Sequence, residues 1–597
     1  MPNPITFVVS SATRTAADFE ILASQAARLK SRGRVELVVN SLAERTAADI
    51  PPGGSPWHDY TSMIPAVEKL FPHPDLAPFV DAEHVRKNQR LVREKLAILR
   101  KHKLGASAQF HMPWLLPEEF FATYPHLRGP RIDHPRRTRR EAFATCVDTD
   151  AGREFYAEMF RQLAREVPEL SSVQISTNDA GAGFCWADWL YIGPNGPGHC
   201  RHRGMGARVR GFVDALRAAA AGREIDFDVR GNFSDVELRE MAGYHDEHFV
   251  TRPQRGGGRQ VTIGSHLDNP VLGVFDPVGL LKALERGVAD PQVNRVGVGF
   301  SSSYGRGHEL SDVQDKVIDL LDAYFAEPAL GLINRMTFLR TQCASWVGEE
   351  QADALLESLY DMHDAFAYRS AAVPLFTSNY AGVSMRHITR PLVAVPEKLT
   401  AEEEAYWLPH VFNPHVNEAR LDYIDFHGGR MSVAEPQEET DPRVGPIVTY
   451  GARMTRVADR LAALAPEADV FLRMGTSLRI HASILRSSGN FYGVQRIRDR
   501  NRERFREPRL PPKVGDWHGD KDLHLLNELL RDELDNTSEL IRLLENGGLS
   551  QVLTAQDPAE EDTFLLGPDL VDQLKKKIEI MRRHWLDAEQ YLSTPHK

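Results

Sequence analysis

Asn178 and Asp179 close a β-branched run, Val173-Gln-Ile-Ser-Thr177, and are followed by Gly181, Gly183 and four aromatics: Phe184, Trp186, Trp189 and Tyr191. The run has the composition of a strand, and the glycines let the chain turn sharply after it. A carboxylate and an amide at the C-terminal end of a strand, beside aromatic walls, suit a sugar. The polar pair can hold hydroxyls and protonate a glycosidic oxygen, while the rings cover the apolar face. The plainer alternative is an Asx-turn that ends a strand.

Other apolar runs end in similar groups. His111 and Trp114 follow one, and Arg230 and Asn232 another. His266, Asp268 and Asn269 follow a third, and Tyr304 and Glu309 a fourth. Acids, amides, histidines and aromatics recurring at one topological level describe a polar pocket. Asp179 is the preferred proton donor, with Asp268 and Glu309 as candidates for the second catalytic carboxylate. His111, Trp114, Asn178, Trp186, Trp189, Arg230, Asn232, His266, Asn269 and Tyr304 are candidates for substrate binding. Arg230 would grip an acidic sugar.

Competing chemistries have weaker signals. No His-x-His or His-Glu-x-x-His spacing is present, so a catalytic metal is not expected. There is no Gly-x-Ser-x-Gly elbow, and Gly256-Gly-Gly258 lacks the Lys-Ser/Thr of a phosphate loop. Cys146, Cys185, Cys200 and Cys343 form no Cys-x-x-Cys and are too scattered to predict a disulfide framework or a zinc site. Cys185 and Cys200 flank the loop after Asp179, which leaves one loop-pinning disulfide open.

The elements that must position these groups alternate. Strands are predicted at 34–40, 105–111, 173–177, 224–230, 260–264 and 294–300, interleaved with amphipathic helices at 81–102, 152–166, 208–221, 277–286 and 312–325. Phe7-Val-Val and Phe249-Val are candidates for two further strands. This alternation, with no Gly-x-Gly-x-x-Gly turn after the first strand, predicts an α/β fold: a (β/α)8 TIM-like barrel with its site at the C-terminal strand ends. Beyond about residue 330 helical periods dominate. The expected organisation is a catalytic barrel over 1–335, a mixed, mostly helical region over 336–470 and a helical region over 471–597.

The stretch Val173–Asp179 resembles barrel glycoside hydrolases of the broad group that includes α-glucuronidases and β-hexosaminidases. So do the segment Phe110-His-Met-Pro-Trp114 through Tyr124-Pro and the long helical region after the barrel. The resemblance implies glycosidase activity without a cofactor. It also has departures. Ala180 stands where α-glucuronidases place a Glu, and Asn178-Asp179 stands where β-hexosaminidases carry Asp-Glu, so the substrates of those families are not carried over. A metal-dependent hydrolase or isomerase in the same barrel, or a sugar-binding barrel without catalysis, are the alternatives.

With 597 residues the chain exceeds one core, and 42% hydrophobic with 26% charged residues is ordinary globular composition. A net charge of -11 argues against nucleic acid as partner. No window reaches the ~18 apolar residues of a membrane span. A carbohydrate substrate, no membrane contact and a cytoplasmic location are expected, with a removed secretory leader and a homodimer both left open.

Overall fold

The computed structural model describes residues 5–44, 61–133, 141–179, 181–220, 222–244, 260–264, 270–300, 311–328, 331–372, 387–404, 446–464, 469–500, 521–561 and 566–587. They form two compact units, one of residues 1–265, 279–304 and 310–338, the other of 266–278, 305–309 and 339–597.

The first unit is built on a parallel sheet. Its strands are β1 (Ile5–Ser10), β2 (Gly33–Val38), β3 (Gly105–His111), β7 (Leu170–Thr177), β8 (Asp226–Gly231), β9 (Gln260–Gly264) and β10 (Arg295–Gly299). The seven strands lie in the order β8-β7-β3-β2-β1-β10-β9. Helices fill the connections: α1 (Ala16–Ala26), α2 (Ala82–His102), α4 (Asp150–Glu166), α5 (Met205–Ala219), α6 (Asp235–Ala242), α7 (Pro277–Val288) and α8 (Ser311–Ala326). The expected alternation is therefore present, and Phe7-Val-Val lies in β1. The strand expected at Phe249-Val falls outside the described residues. A small antiparallel sheet, β4 (Leu115–Leu116), β5 (Arg128–Arg131) and β6 (Phe143–Thr145), with the short helix α3 (Glu118–Thr123), is inserted between β3 and α4.

Period-two alternation gives the large sheet two unlike faces. One face carries Phe7, Val9, Leu37, Phe110, Val173, Ile175, Phe227, Val229, Ile263 and Val298, all buried. This face packs on helices, with Phe7 edge-on to Phe325 of α8 at 5.0 Å and Phe227 5.9 Å from Phe160 of α4. The other face carries Glu36, Ser107, Gln109, Ser172, Gln174, Asp226, Asp228 and Arg295.

These polar side chains reach one another across the curl of the sheet. Arg295 of β10 bridges Glu36 of β2 at 3.0 Å and Asp226 of β8 at 3.1 Å. Arg230 of β8 reaches Thr262 of β9 at 3.3 Å. Since β8 and β9 are the two ends of the strand order, such contacts require the sheet to curl back on itself.

The second unit is mostly helical. Its elements include α10 (Ala352–Ala372), α11 (Pro446–Ala462), α12 (Asp469–Arg500), α13 (Lys521–Glu545) and α14 (Leu570–Arg583); α9 (Leu332–Val347) precedes them in the chain. At its centre Lys577 and Glu533, both fully buried, form an ion pair. Lys577 Nζ also donates to the carbonyl of Ile388 at 2.9 Å. Asn490 donates to the other Glu533 oxygen at 2.8 Å, and Ser487 donates to the same oxygen as Lys577. Among the described residues, no helix is long and apolar enough to cross a membrane.

Candidate active site

The parallel register aligns inward-facing residues of adjacent strands at the C-terminal end of the sheet. His111 of β3 pairs with Ser176 of β7, and Ser176 with Arg230 of β8. The result is a row of imidazole, hydroxyl and guanidinium at one level. Asp228, one inward step below Arg230, holds its Nε at 2.5 Å. Burial, and then the nearby Lys69 ammonium, push the His111 imidazole down to about 3. His111 is thus neutral at physiological pH.

Above this row the chain leaves β7 through Asn178, whose φ of 56° is left-handed. Asn178 is buried and holds the strand ends together. Its amide donates to the Asn232 carbonyl at 3.1 Å, the Asn232 amide returns a bond to the Asn178 carbonyl at 3.2 Å, and the Phe184 N–H donates to Asn178 Oδ1 at 3.0 Å. Asp179 follows, half-buried, with the Tyr191 hydroxyl donating to its Oδ1.

A tight turn fixes Asp179. Its N–H donates to the Ala182 carbonyl at 3.1 Å, and its carbonyl accepts from the Ala182 N–H at 2.9 Å. Leu115 N–H bonds the Gly181 carbonyl at 2.8 Å, and Gly183 N–H bonds the Pro113 carbonyl at 3.0 Å, stitching the turn to the chain around Trp114. Gly181 is required twice over. Its φ is +91°, and an added Cβ would lie 2.7 Å from Leu115 Cδ2 and 3.1 Å from the Trp114 ring.

The three tryptophans have three different settings. Trp114 is fully buried beneath the turn, with the Lys69 ammonium 4.9 Å from its ring centre and the His111 ring 6.3 Å away. Trp186, half-buried at a φ of 56°, donates from Nε1 to the Pro197 carbonyl at 2.9 Å and lies under the Arg201 guanidinium. Trp189 is 55% exposed, which makes it the one best placed to meet a ligand from solvent. Arg230 is partly exposed and Asn232 exposed. His266, Asp268, Asn269, Tyr304 and Glu309 lie outside the described residues.

Sequence reasoning missed the support beneath. Trp114 N–H donates to the Tyr156 hydroxyl at 2.8 Å, and that hydroxyl donates to Glu68. Burial pushes the Glu68 carboxyl up to about 7. Lys69, also buried, caps the carbonyls of Thr61 at 3.0 Å and Ile64 at 2.9 Å. No periodicity marks Glu68 or Lys69 as inward-facing, because they sit on a single turn within a long connection.

A cavity of about 20 Å3 lies within the curl, walled by Ser107, Gln109, Ser172, Gln174, Asp226 and Arg295. It has room for about one water. A cavity of about 610 Å3 lies among α11, α12 and α13, lined by Arg486, Asn490, Asp532 and Glu539 among others. Its charges are mutually engaged, Arg486 holding Asp532 through Nε at 2.8 Å, and it has no strand ends to converge side chains.

The chain matches no protein-family model and no curated protein. Among solved structures it is similar to a GH138 enzyme targeting the pectin rhamnogalacturonan II. The TM-score is 0.51 at 10% identity, covering 99% of this chain and 68% of that one. A GH20 β-N-acetylhexosaminidase from Streptomyces coelicolor A3(2) aligns with TM-score 0.30 at 11% identity over 59% of this chain and 70% of that one. A GH36 α-galactosidase from Geobacillus stearothermophilus aligns with TM-score 0.32 at 12% identity over 56% and 43%. The first likeness extends over nearly the whole chain and is one of fold.

Proposed function

We propose that this protein is a glycoside hydrolase, exo-acting on an oligosaccharide or glycoside at the C-terminal mouth of the curled sheet. The observation that carries this is the register row His111, Ser176 and Arg230 beneath Asp179, a polar floor with a carboxylate held at its rim. The whole-chain likeness in fold to a glycoside hydrolase supports it. On this reading the sheet is the greater part of a (β/α)8 barrel, with barrel and helical regions divided near residue 335.

Asp179 would deliver a proton to the glycosidic oxygen as the bond to the anomeric carbon breaks, and Tyr191 would fix the orientation of its carboxyl group. Asp268 or Glu309 would supply the second carboxylate, acting on the anomeric carbon directly or through water. Arg230 would pair with the carboxylate of an acidic sugar, and neutral His111 would hydrogen-bond a hydroxyl. Asn232 and the exposed Trp189 would border the substrate, with His266, Asn269 and Tyr304 contributing from the neighbouring loops. Asn178, Trp114 and Trp186 would act from behind, by shaping the turn and loop. The α-glucuronidase and β-hexosaminidase groups remain the families suggested by sequence pattern, and no cofactor is required.

The test is a screen of chromogenic glycosides over both anomers, uronides included. Release of chromophore, lost in Asp179→Asn, is expected. Sugar binding with no turnover across the screen would replace this reading with a non-catalytic sugar-binding barrel. Activity abolished by chelation, restored by a divalent metal, and just as metal-dependent in Cys200→Ser would favour a metal-dependent barrel enzyme.

A further inference from the structure

Three cysteines separated in sequence converge behind the candidate site. Cys146 directly follows β6, Cys185 lies in the loop after Asp179, and Cys200 ends a single helical turn, Gly198–Cys200, ahead of α5. Their sulfurs and a carboxylate oxygen of Asp148 all lie within 4.8 Å of one another, and all four residues are buried. We propose that Cys146, Cys185, Cys200 and Asp148 form a structural zinc site.

The donor set is that of a closed, four-coordinate site, three thiolates and one carboxylate. Tetrahedral Zn–S bonds of ~2.3 Å place ligand sulfurs about 3.8 Å apart, and Cys146 Sγ and Cys200 Sγ are 3.5 Å apart. A polynuclear iron–sulfur cluster needs its cysteines spread around several metal atoms, which this spacing does not allow.

Asp148 supplies the second, independent observation. Both its carboxylate oxygens are buried, with no hydrogen-bond partner outside the cluster's own Cys185 and Cys200 thiols, and the nearest guanidinium, that of Arg208, is 3.9 Å away. A carboxylate sealed among thiols at that distance from its counter-charge is costly, and a divalent cation relieves the cost. Zn2+ with three thiolates and a carboxylate leaves two negative charges. Arg208 and Arg203, the latter bonded to the Asp148 carbonyl at 2.6 Å, stand beside it to balance them.

The sulfur positions are also set by local backbone rather than by contact among themselves. Thr149 Oγ1 bonds the Cys146 carbonyl at 3.2 Å, and a Cβ on Gly152 would lie 1.8 Å from that same oxygen. Gly196, at a φ of +141°, would place a Cβ 2.9 Å from Cys185 Cβ. Cys200 N–H bonds the Pro197 carbonyl at 3.1 Å. A zinc ion here would pin the loop carrying Trp186 and Tyr191 at two points, and so hold the partner of Asp179. Binding displaces the three thiol protons to solvent.

The purified full chain, dialysed to remove loose metal, is expected to hold about one zinc per chain by elemental analysis. Cobalt exchanged into it should give intense sulfur-to-metal charge-transfer bands and tetrahedral d–d bands. Cys200→Ser and Asp148→Asn should each lower zinc to below about a tenth of an equivalent, while Cys343→Ser, outside the cluster, and His199→Gln should retain it. If the cluster variants are insoluble, titrating the native protein with a mercurial should release zinc in step with its thiols. A folded wild-type chain prepared with zinc present that holds none would overturn the proposal, as would a Cys146–Cys200 disulfide. Zinc lost in His199→Gln but kept in Asp148→Asn would overturn the assignment of the fourth ligand.

Discussion

Both units bury charge, but they bury it differently. In the sheet unit, Arg295 is shared between Glu36 and Asp226, and inward residues climb from it in register rows that end in His111, Ser176 and Arg230 at the C-terminal end of the sheet. In the helical unit, Lys577 and Glu533 are fully enclosed, and hydroxyl, amide and carbonyl partners complete their hydrogen bonds. Alternation along strands keeps one face largely polar, so a buried network can extend along it towards the strand ends. Helices bring polar groups together only where their stripes cross, and the network closes on itself. The same interaction thus underlies a candidate reaction centre in one unit and a structural joint in the other.

The sharpest test is Asp179→Asn. Positioned proton transfer contributes ~10²–10⁴ in rate, so turnover should fall by about that factor with the melting temperature almost unchanged. If turnover survives, the sheet unit loses its distinction and Asp268 and Glu309 become the leading pair. Next in size is Lys577→Met, which leaves Glu533 buried and uncompensated. A loss of about 3–5 kcal/mol in denaturant unfolding is expected, with turnover of the remaining folded protein unaltered. An equal loss of turnover per folded molecule would show that the helical joint is not merely structural.

A third test uses pH. The Glu68 carboxyl is raised from an ordinary 4.5 to about 7, so between those values the folded chain holds a proton that the unfolded chain has released. Its contribution to stability is therefore intact at low pH and declines as pH rises through that window, by about 3 kcal/mol in all. His111 and His84, lowered to about 3 and about 4, act oppositely as pH falls. The measurement is accordingly the difference between wild type and Glu68→Gln across pH 4.5 to 7, in which the variant should gain relative stability as pH rises. A flat difference would remove Glu68 from the support of Trp114. The smallest effect is expected for Gly181→Ala, about 1–3 kcal/mol from backbone strain and contact with Trp114. Turnover should fall with it, because the turn carries Asp179.

Much of the sheet was legible because each strand is a short apolar run followed by an amphipathic helix; β3 and β9 match their expected bounds. The small sheet was not, since strands of two to four residues carry no periodicity. Helix α12 escaped for another reason. Buried Ser477, His481, Ser483, Ser487 and Asn490 share its surface with buried Leu478, Ile480 and Ile484, so no apolar stripe stands out. At the site, His111, Asp179 and Arg230 were readable as polar ends of strands. Ser176 was not, because its importance comes from register with neighbours far away in sequence. The cysteines form no motif because their convergence is made by three separate turns.

The two-faced sheet has a consequence for how such a protein can change over generations. Its outward residues are constrained by tight packing against helices, whereas its inward rows are held by pairings that other polar side chains could satisfy. Substitution at Ser176 or Arg230 need not disturb Ile175 or Val229 beside them, which point the opposite way. The chemistry of the inner face can then drift while the outer shell stays fixed, and descendants with little sequence in common can retain one architecture.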